Sequence, residues 1–127
     1  MKLRIRDNTL RFRLGRSEIE QLRGTGEISA RVVFGPAPDS MLHYSVEIHE
    51  AGQPALRHSG AGIRVLLTPA LARELELGEG EGVGFEADNG TAEPVRVSVE
   101  RDFACLKPRP GENDDDAFAN PLDGETC

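Results

Sequence analysis

The segment 62–88 constrains the fold more than any other part of the sequence, because strand and helix signals follow one another closely in it. An apolar, β-branched run precedes Thr68, a residue type that caps helices, and Pro69 then takes the first helical position. Leu71 and Leu75 lie four residues apart and so share one helix face. A second apolar run follows the glycine-rich stretch after this helix. The segment therefore predicts a strand–helix–strand unit.

The same order of signals occurs earlier in the chain, at 10–34. Ser17 and Glu20 have the spacing of a capping box, and Gly24 is a residue type that ends helices. With further strand patterns at 42–48, 55–58 and 95–99, the sequence predicts an α+β, mainly β protein. We expect a small barrel built from the two strand–helix–strand units, with a C-terminal tail packed against it.

The first strands are predicted to form a hairpin, because apolar and basic residues alternate through 2–14 around a turn at Asp7-Asn8. A two-residue turn pairs Ile5 with Leu10 on the buried face. It also places basic residues directly opposite one another on the other face, which is unfavourable unless something compensates. The basic residues predicted to share that face, and to bind an anion or a partner there, are Lys2, Arg4, Arg11 and Arg13.

Charge is distributed unevenly along the chain, which has 127 residues and a net charge of −7. Residues 1–23 contain seven basic and three acidic side chains, whereas residues 110–127 contain six acidic side chains and no basic one. The overall acidity argues against non-specific nucleic-acid binding by the whole chain, but it leaves a local basic face. We therefore expect a protein or anionic partner at the hairpin, with nucleic acid less favoured.

Several classes of protein are excluded by composition. No apolar run approaches the roughly 20 residues of a membrane span, and Lys2-Leu3-Arg4 does not begin a signal peptide. Two cysteines, Cys105 and Cys127, form neither a disulfide framework nor a zinc site. We expect a cytoplasmic protein, either monomer or homodimer, with no membrane association, no catalytic residues, no metal and no cofactor.

Two sets of residues could form a reactive or metal-binding site. Cys105 lies near Lys107 and Arg109, which would lower the pKa of its thiol if they approach it, although a buried structural cysteine is the simpler interpretation. The second set shares strand faces and could hold a divalent metal, although solvated imidazoles are far commoner. It comprises His43, Glu47, His49 and His58.

One part of the sequence resembles the strand–helix unit of AbrB-type swapped-hairpin barrels. It is Ile63-Arg64-Val65-Leu66-Leu67-Thr68-Pro69-Ala70-Leu71, followed by Leu75-Glu76-Leu77-Gly78-Glu79-Gly80-Glu81-Gly82-Val83. The resemblance covers about a fifth of the chain, and Glu81 departs from the aspartate usual in that family. It implies DNA binding through basic residues near the N-terminus, in homodimeric regulators or antitoxins. The two units of this chain could then replace such a dimer.

The C-terminal stretch resembles small uncharacterised bacterial proteins that end in a DF-x-CL-x-PR…D-x-F-x-NP pattern. The matching residues are Asp102, Phe103, Cys105, Leu106, Pro108, Arg109, Asp116, Phe118, Asn120 and Pro121. We divide the chain into a β-rich barrel domain, 1–101, and an acidic extension, 102–127, docked on the barrel through 121. Phe103 and Phe118 are expected to anchor the extension, and its acidic run to approach the basic hairpin; a disordered tail is the alternative.

The sequence therefore favours a non-catalytic binding or regulatory domain whose partner it does not identify. One alternative is a nucleic-acid-binding regulator of AbrB type that uses the basic hairpin. The other is a metal- or thiol-dependent enzyme centred on Cys105.

Overall fold

A computed structural model describes residues 1–103 and Phe118 of the chain. Eight strands and two helices form in these residues, which confirms the α+β, mainly β class. In chain order they are β1 (Lys2–Arg6), β2 (Thr9–Leu14), α1 (Arg16–Thr25), β3 (Glu27–Val33), β4 (Met41–Ile48), β5 (Ala55–Ser59), β6 (Gly62–Leu67), α2 (Pro69–Leu77), β7 (Gly82–Ala87) and β8 (Val95–Arg101). Within this part of the chain, neither helix has the length and apolar character needed to cross a membrane.

The strands pair as two four-stranded sheets, β1-β2-β8-β7 and β3-β4-β6-β5. The central pair of each sheet is parallel, β2 with β8 and β4 with β6, and the outer pairs are antiparallel. The expected small barrel is corrected here, because the described strands form two separate four-stranded sheets and no closed barrel. The reason lies in the helices, since each one carries the chain from one sheet into the other.

The two halves of the chain repeat one arrangement with an offset of 53 positions in β2 and β6, which relates Phe12 to Val65 and Leu14 to Leu67. Two main-chain hydrogen bonds are related by the same offset of 53 positions. The Asp102 N–H donates to the Leu14 carbonyl, and the His49 N–H donates to the Leu67 carbonyl, both at 2.9 Å. The repeating unit is therefore hairpin–helix–hairpin, which contains the predicted strand–helix–strand unit.

Helix α2 begins where the sequence predicts. The Thr68 hydroxyl accepts a hydrogen bond from the Leu71 N–H at 3.2 Å, and Pro69 occupies the first turn. Leu75 is fully buried on the inner face, with Leu71 partly buried beside it. The cap and the apolar spacing thus fix both the start and the orientation of this helix.

Helix α1 differs from the prediction at both ends. Gly15 is the N-cap, and its N–H donates to the Glu18 carboxylate at 2.9 Å. The helix ends at Gly26, whose φ of 84° is the left-handed conformation that glycine adopts without strain. The predicted cap at Ser17 and stop at Gly24 are therefore wrong, because a second glutamate at capping-box spacing and a second glycine lie close by.

The core lies between the inner faces of the two sheets and is closed by the helices. The ring of Phe12, from the first sheet, lies 6.4 Å from the ring of Tyr44, from the second. Both helices add fully or nearly fully buried side chains. The buried apolar residues of this core are Leu10, Phe12, Leu14, Ile19, Leu22, Ile28, Val46, Val65, Leu67, Leu75, Val83, Val97 and Val99.

Candidate functional site

The outer surface of the first sheet carries a group of basic side chains from β1, β2 and β8. The hairpin has the predicted register, with Arg4 opposite Arg11 and Lys2 opposite Arg13. Because β8 pairs in parallel with β2, it places Arg96 beside Thr9 on the same surface. We call this surface the basic face, and its members are Lys2, Arg4, Arg6, Arg11, Arg13 and Arg96.

Acidic side chains at the end of β8 compensate one corner of the basic face. The Glu100 Oε1 atom lies 3.6 Å from the Arg11 Nε and 3.5 Å from the Arg13 Nε. The Lys2 Nζ lies 2.9 Å from Asp102 Oδ2. The negative charge that offsets the facing basic residues of the hairpin thus comes from β8 and from the residue directly after it. The acidic run at 112–116 lies outside the described residues.

Arg4 and Arg6 stand apart from this corner. Both are exposed, and among the residues that the structure describes no acidic side chain forms an ion pair with either. Arg4 faces Arg11 directly across the ladder, so two guanidinium groups share that part of the sheet. The sequence identified Arg4 but not Arg6 or Arg96. Arg6 follows the same alternation as Arg4, whereas Arg96 joins the face only through a pairing between distant segments.

The second sheet has a related but better neutralised outer surface. Arg64, the counterpart of Arg11, binds the Glu47 carboxylate through two hydrogen bonds of 2.9 Å, and Ser45 donates to the same carboxylate at 2.7 Å. The bonds from Arg64, which outweigh the effect of burial, hold the pKa of Glu47 below its usual range. Glu47 is therefore fixed as a partner of Arg64.

The histidines and Glu47, which the sequence offered as a possible but disfavoured metal site, are not brought together. His49 Nε2 lies 2.9 Å from the Gln53 carbonyl oxygen, and Glu47 is engaged by Arg64. His58 lies on the inner face of β5, which pairs with β6 and is separated by that strand from His43 on β4. In the part of the chain that the structure describes, no three His, Cys, Asp or Glu side chains form a cluster suited to a metal ion.

Phe118 packs beside the end of β8. It forms a parallel bridge with Phe103, and the two ring centroids lie 6.1 Å apart in an edge-to-face arrangement. The Arg16 and Arg101 guanidinium carbons lie 5.6 Å and 5.8 Å from the centre of the Phe118 ring. Arg101 is itself buried and donates to the Gly78 carbonyl, at the end of α2, at 2.6 Å. The sequence did not identify Arg16 or Arg101, since their roles depend on where Phe118 lies.

Replacing Phe118 with alanine is expected to lower the free energy of unfolding by about 1–2 kcal/mol, because one aromatic pair and two cation–π contacts are lost. Denaturant titration of the full chain measures this. Phe34→Ala is the control, since that ring is 71% exposed and its loss should change stability little. Equal stability of the wild type and the Phe118 variant would contradict the role given to these contacts.

Seven residues of the predicted C-terminal motif lie outside the described residues. The docking of the extension through 121 stays a prediction at these positions, as does the interpretation of Cys105. The seven are Cys105, Leu106, Pro108, Arg109, Asp116, Asn120 and Pro121.

Comparison with known proteins gives one match. Residues 1–122 match the model of a family described as a family of unknown function, DUF7009. The comparison with curated proteins found no match, and the comparison with solved structures found none. Because the family model spans nearly the whole chain, the chain belongs to this family.

Proposed function

We propose that this member of a family of unknown function is a non-catalytic binding module, and that an anionic partner docks on its basic face. One observation carries the proposal: Arg4 and Arg6 are exposed and form no ion pair within the described residues, while Arg11 lies directly opposite Arg4. An anion placed over these guanidinium groups would relieve their mutual repulsion and supply the missing counter-charge.

The balance of charge on the first sheet supports the proposal. Six basic side chains point outward from it, against the outward Glu86 and Glu100 of its strands and Asp102 directly after β8. Glu86 lies 3.7 Å from the Arg96 Nε at the far side, and Glu100 serves the opposite corner. The positive potential is therefore concentrated around Arg4 and Arg6, where a negatively charged partner gains most.

An acidic protein segment suits this face better than a nucleic acid does. The outward positions of the first sheet carry no aromatic side chain, so bases would find no stacking platform there. The chain also has a net charge of −7, which opposes the approach of a long polyanion. A short acidic peptide meets the local positive charge with less of this repulsion.

A nucleic-acid-binding regulator of AbrB type is the second candidate, and the internal repeat supports it. Arg57 lies opposite Arg64 in the second sheet as Arg4 lies opposite Arg11 in the first. One chain thus presents two related arginine pairs, as a homodimer with two half-sites would. In this candidate both pairs contact phosphate.

Replacing Arg4 and Arg6 together with glutamine is expected to weaken the binding of poly-glutamate about tenfold at low salt, because two exposed charge contacts of up to about 1 kcal/mol each are lost. The poly-glutamate is a short labelled peptide, and binding is measured by fluorescence anisotropy with this peptide and, separately, with a labelled DNA duplex. Arg31→Gln combined with Arg57→Gln is the charge-matched control on the second sheet, and poly-glutamate binding should survive it.

The outcomes separate the two candidates. Tight DNA binding that both double variants weaken would favour the regulator and contradict the acidic-protein partner. Equal loss of poly-glutamate binding in both double variants, or no binding by the wild type, would contradict a role for the basic face.

A further inference from the structure

The two helices enclose a groove on the side of the molecule where β4 ends. It has a volume of about 370 Å³, within the range of roughly 300–1,000 Å³ common for ligand sites. Arg23 of α1 and Glu76 of α2, which are counterparts in the repeat, form an ion pair of 3.1 Å between the helices. We call this cavity the helix groove, and its apolar lining is Ile19, Leu22, Ile48, Pro69, Ala72 and Leu77.

The internal repeat relates the helix groove to the place where Phe118 lies. Phe118 contacts Arg16 at the start of α1 and Arg101 at the end of β8. The offset of 53 positions relates Arg16 to Pro69 and Ile48 to Arg101. Both counterparts, Pro69 and Ile48, line the helix groove. The groove is therefore the second copy of a site whose first copy holds a phenylalanine ring.

The side chains that differ between the two copies make the groove more apolar. Pro69 and Ile48 stand where the Phe118 site has two arginines, so a ring in the groove would contact hydrocarbon instead of guanidinium groups. Leu77 is 69% exposed at its rim and adds apolar surface that an incoming ring could cover. Among the described residues, Arg73 at the rim has no ion-pair partner, whereas its counterpart in the first copy is Glu20.

We propose that the helix groove binds an extended segment of a partner protein that carries a phenylalanine with acidic residues beside it. The ring contacts Ile48 and Pro69 as the ring of Phe118 contacts their counterparts, Arg101 and Arg16. The acidic residues pair with Arg73. The chain supplies the pattern for such a segment itself, since Asp114-Asp115-Asp116 precede Phe118 by two positions or more. This surface is separate from the basic face, and neither proposal depends on the other.

The test uses a labelled synthetic peptide with the sequence of residues 112–122 as the probe, added to the full chain and followed by fluorescence anisotropy. Ala72→Glu combined with Leu77→Gln places polar groups in the groove at positions that are not fully buried. We expect roughly tenfold weaker binding of the peptide to this variant. The same peptide with its phenylalanine replaced by alanine keeps its charge and should bind equally weakly to the wild type.

Three further measurements control for loss of folding and for peptide binding at other surfaces. Thermal unfolding of the groove variant checks that it folds. Peptide binding is also measured with Arg4→Gln and Arg6→Gln in place, so that the basic face no longer competes for the acidic residues; the groove substitutions should still weaken binding roughly tenfold in that background. Binding that is lost with Arg4 and Arg6 and is unaffected by the groove substitutions would place the peptide on the basic face and overturn the proposal. Arg16→Gln should also leave binding unchanged, because a loss confined to it would mean that the peptide only displaces Phe118.

The oligomeric state shows whether the helix groove binds a partner protein or a second copy of this chain. Sedimentation of the wild type should show a species whose mass the groove variant does not change. A wild-type dimer that dissociates in the groove variant would place a second copy in the groove and overturn the assignment, as would absence of peptide binding by the wild type.

Discussion

Replacing Phe12 with alanine is expected to lower the free energy of unfolding by about 3–5 kcal/mol. The Phe12 side chain is 0% exposed and lies on β2, at the centre of the first sheet. It has Leu3 of β1 on one side and Val99 of β8 on the other. Its ring also reaches across to Tyr44 of the second sheet. Truncation therefore removes apolar burial and leaves a cavity that both sheets would have to close.

Denaturant-induced unfolding, followed by far-ultraviolet circular dichroism, measures this change in free energy. Ile5→Ala is the matched control, because Ile5 points to the same face from β1 but is 56% exposed. Its loss should cost well under half as much. Similar costs for the two variants would mean that the first sheet does not pack on the second as described.

The N-terminal hairpin shows what the sequence determines locally. Its register follows from the alternation through 2–14 and from a turn at Asp7, whose φ of 49° is the positive value that such turns need. Helix α2 was equally predictable, since Thr68 and Pro69 mark its start unambiguously. In both cases the interactions that decide the structure lie within a few residues of one another.

The pairing of distant strands could not be predicted. Strand β2 pairs with β8 and β4 pairs with β6, and no local signal specifies a parallel partner. This is why two strand–helix–strand units suggested a barrel. It is also why the basic face was predicted from Lys2, Arg4, Arg11 and Arg13, while its compensation by Glu100 was not. Sequence alternation gives the face on which a side chain lies, but not which acidic residue lies beside it.

The glycines between α2 and β7 illustrate the same limit. Glycine is a residue type that ends helices, and Gly78 does so at the end of α2. Gly82, however, is the first residue of β7 and lies directly opposite Glu100 of β8. A Cβ atom at Gly82 would lie 2.2 Å from the Val99 carbonyl oxygen and 2.6 Å from the Glu100 Cα. Glycine is required there by the close approach of two main chains.

Gly82→Ala is therefore expected to lower the free energy of unfolding by about 3 kcal/mol, which is at the upper end of the usual cost of overpacking. The cost is high because the clashing atoms belong to the main chain, and not to a side chain that could rotate away. Thermal and denaturant unfolding of the two proteins measure the difference. Gly80→Ala is the control two residues away, where an added Cβ meets nothing within 4 Å.

The clash at Gly82 should also affect the basic face, because Gly82 lies opposite Glu100 of β8. A displacement of the strands at this point moves the Glu100 carboxylate, which compensates the charges of Arg11 and Arg13. A Gly82 variant as stable as the Gly80 variant would show that β7 and β8 do not approach as closely as the register requires.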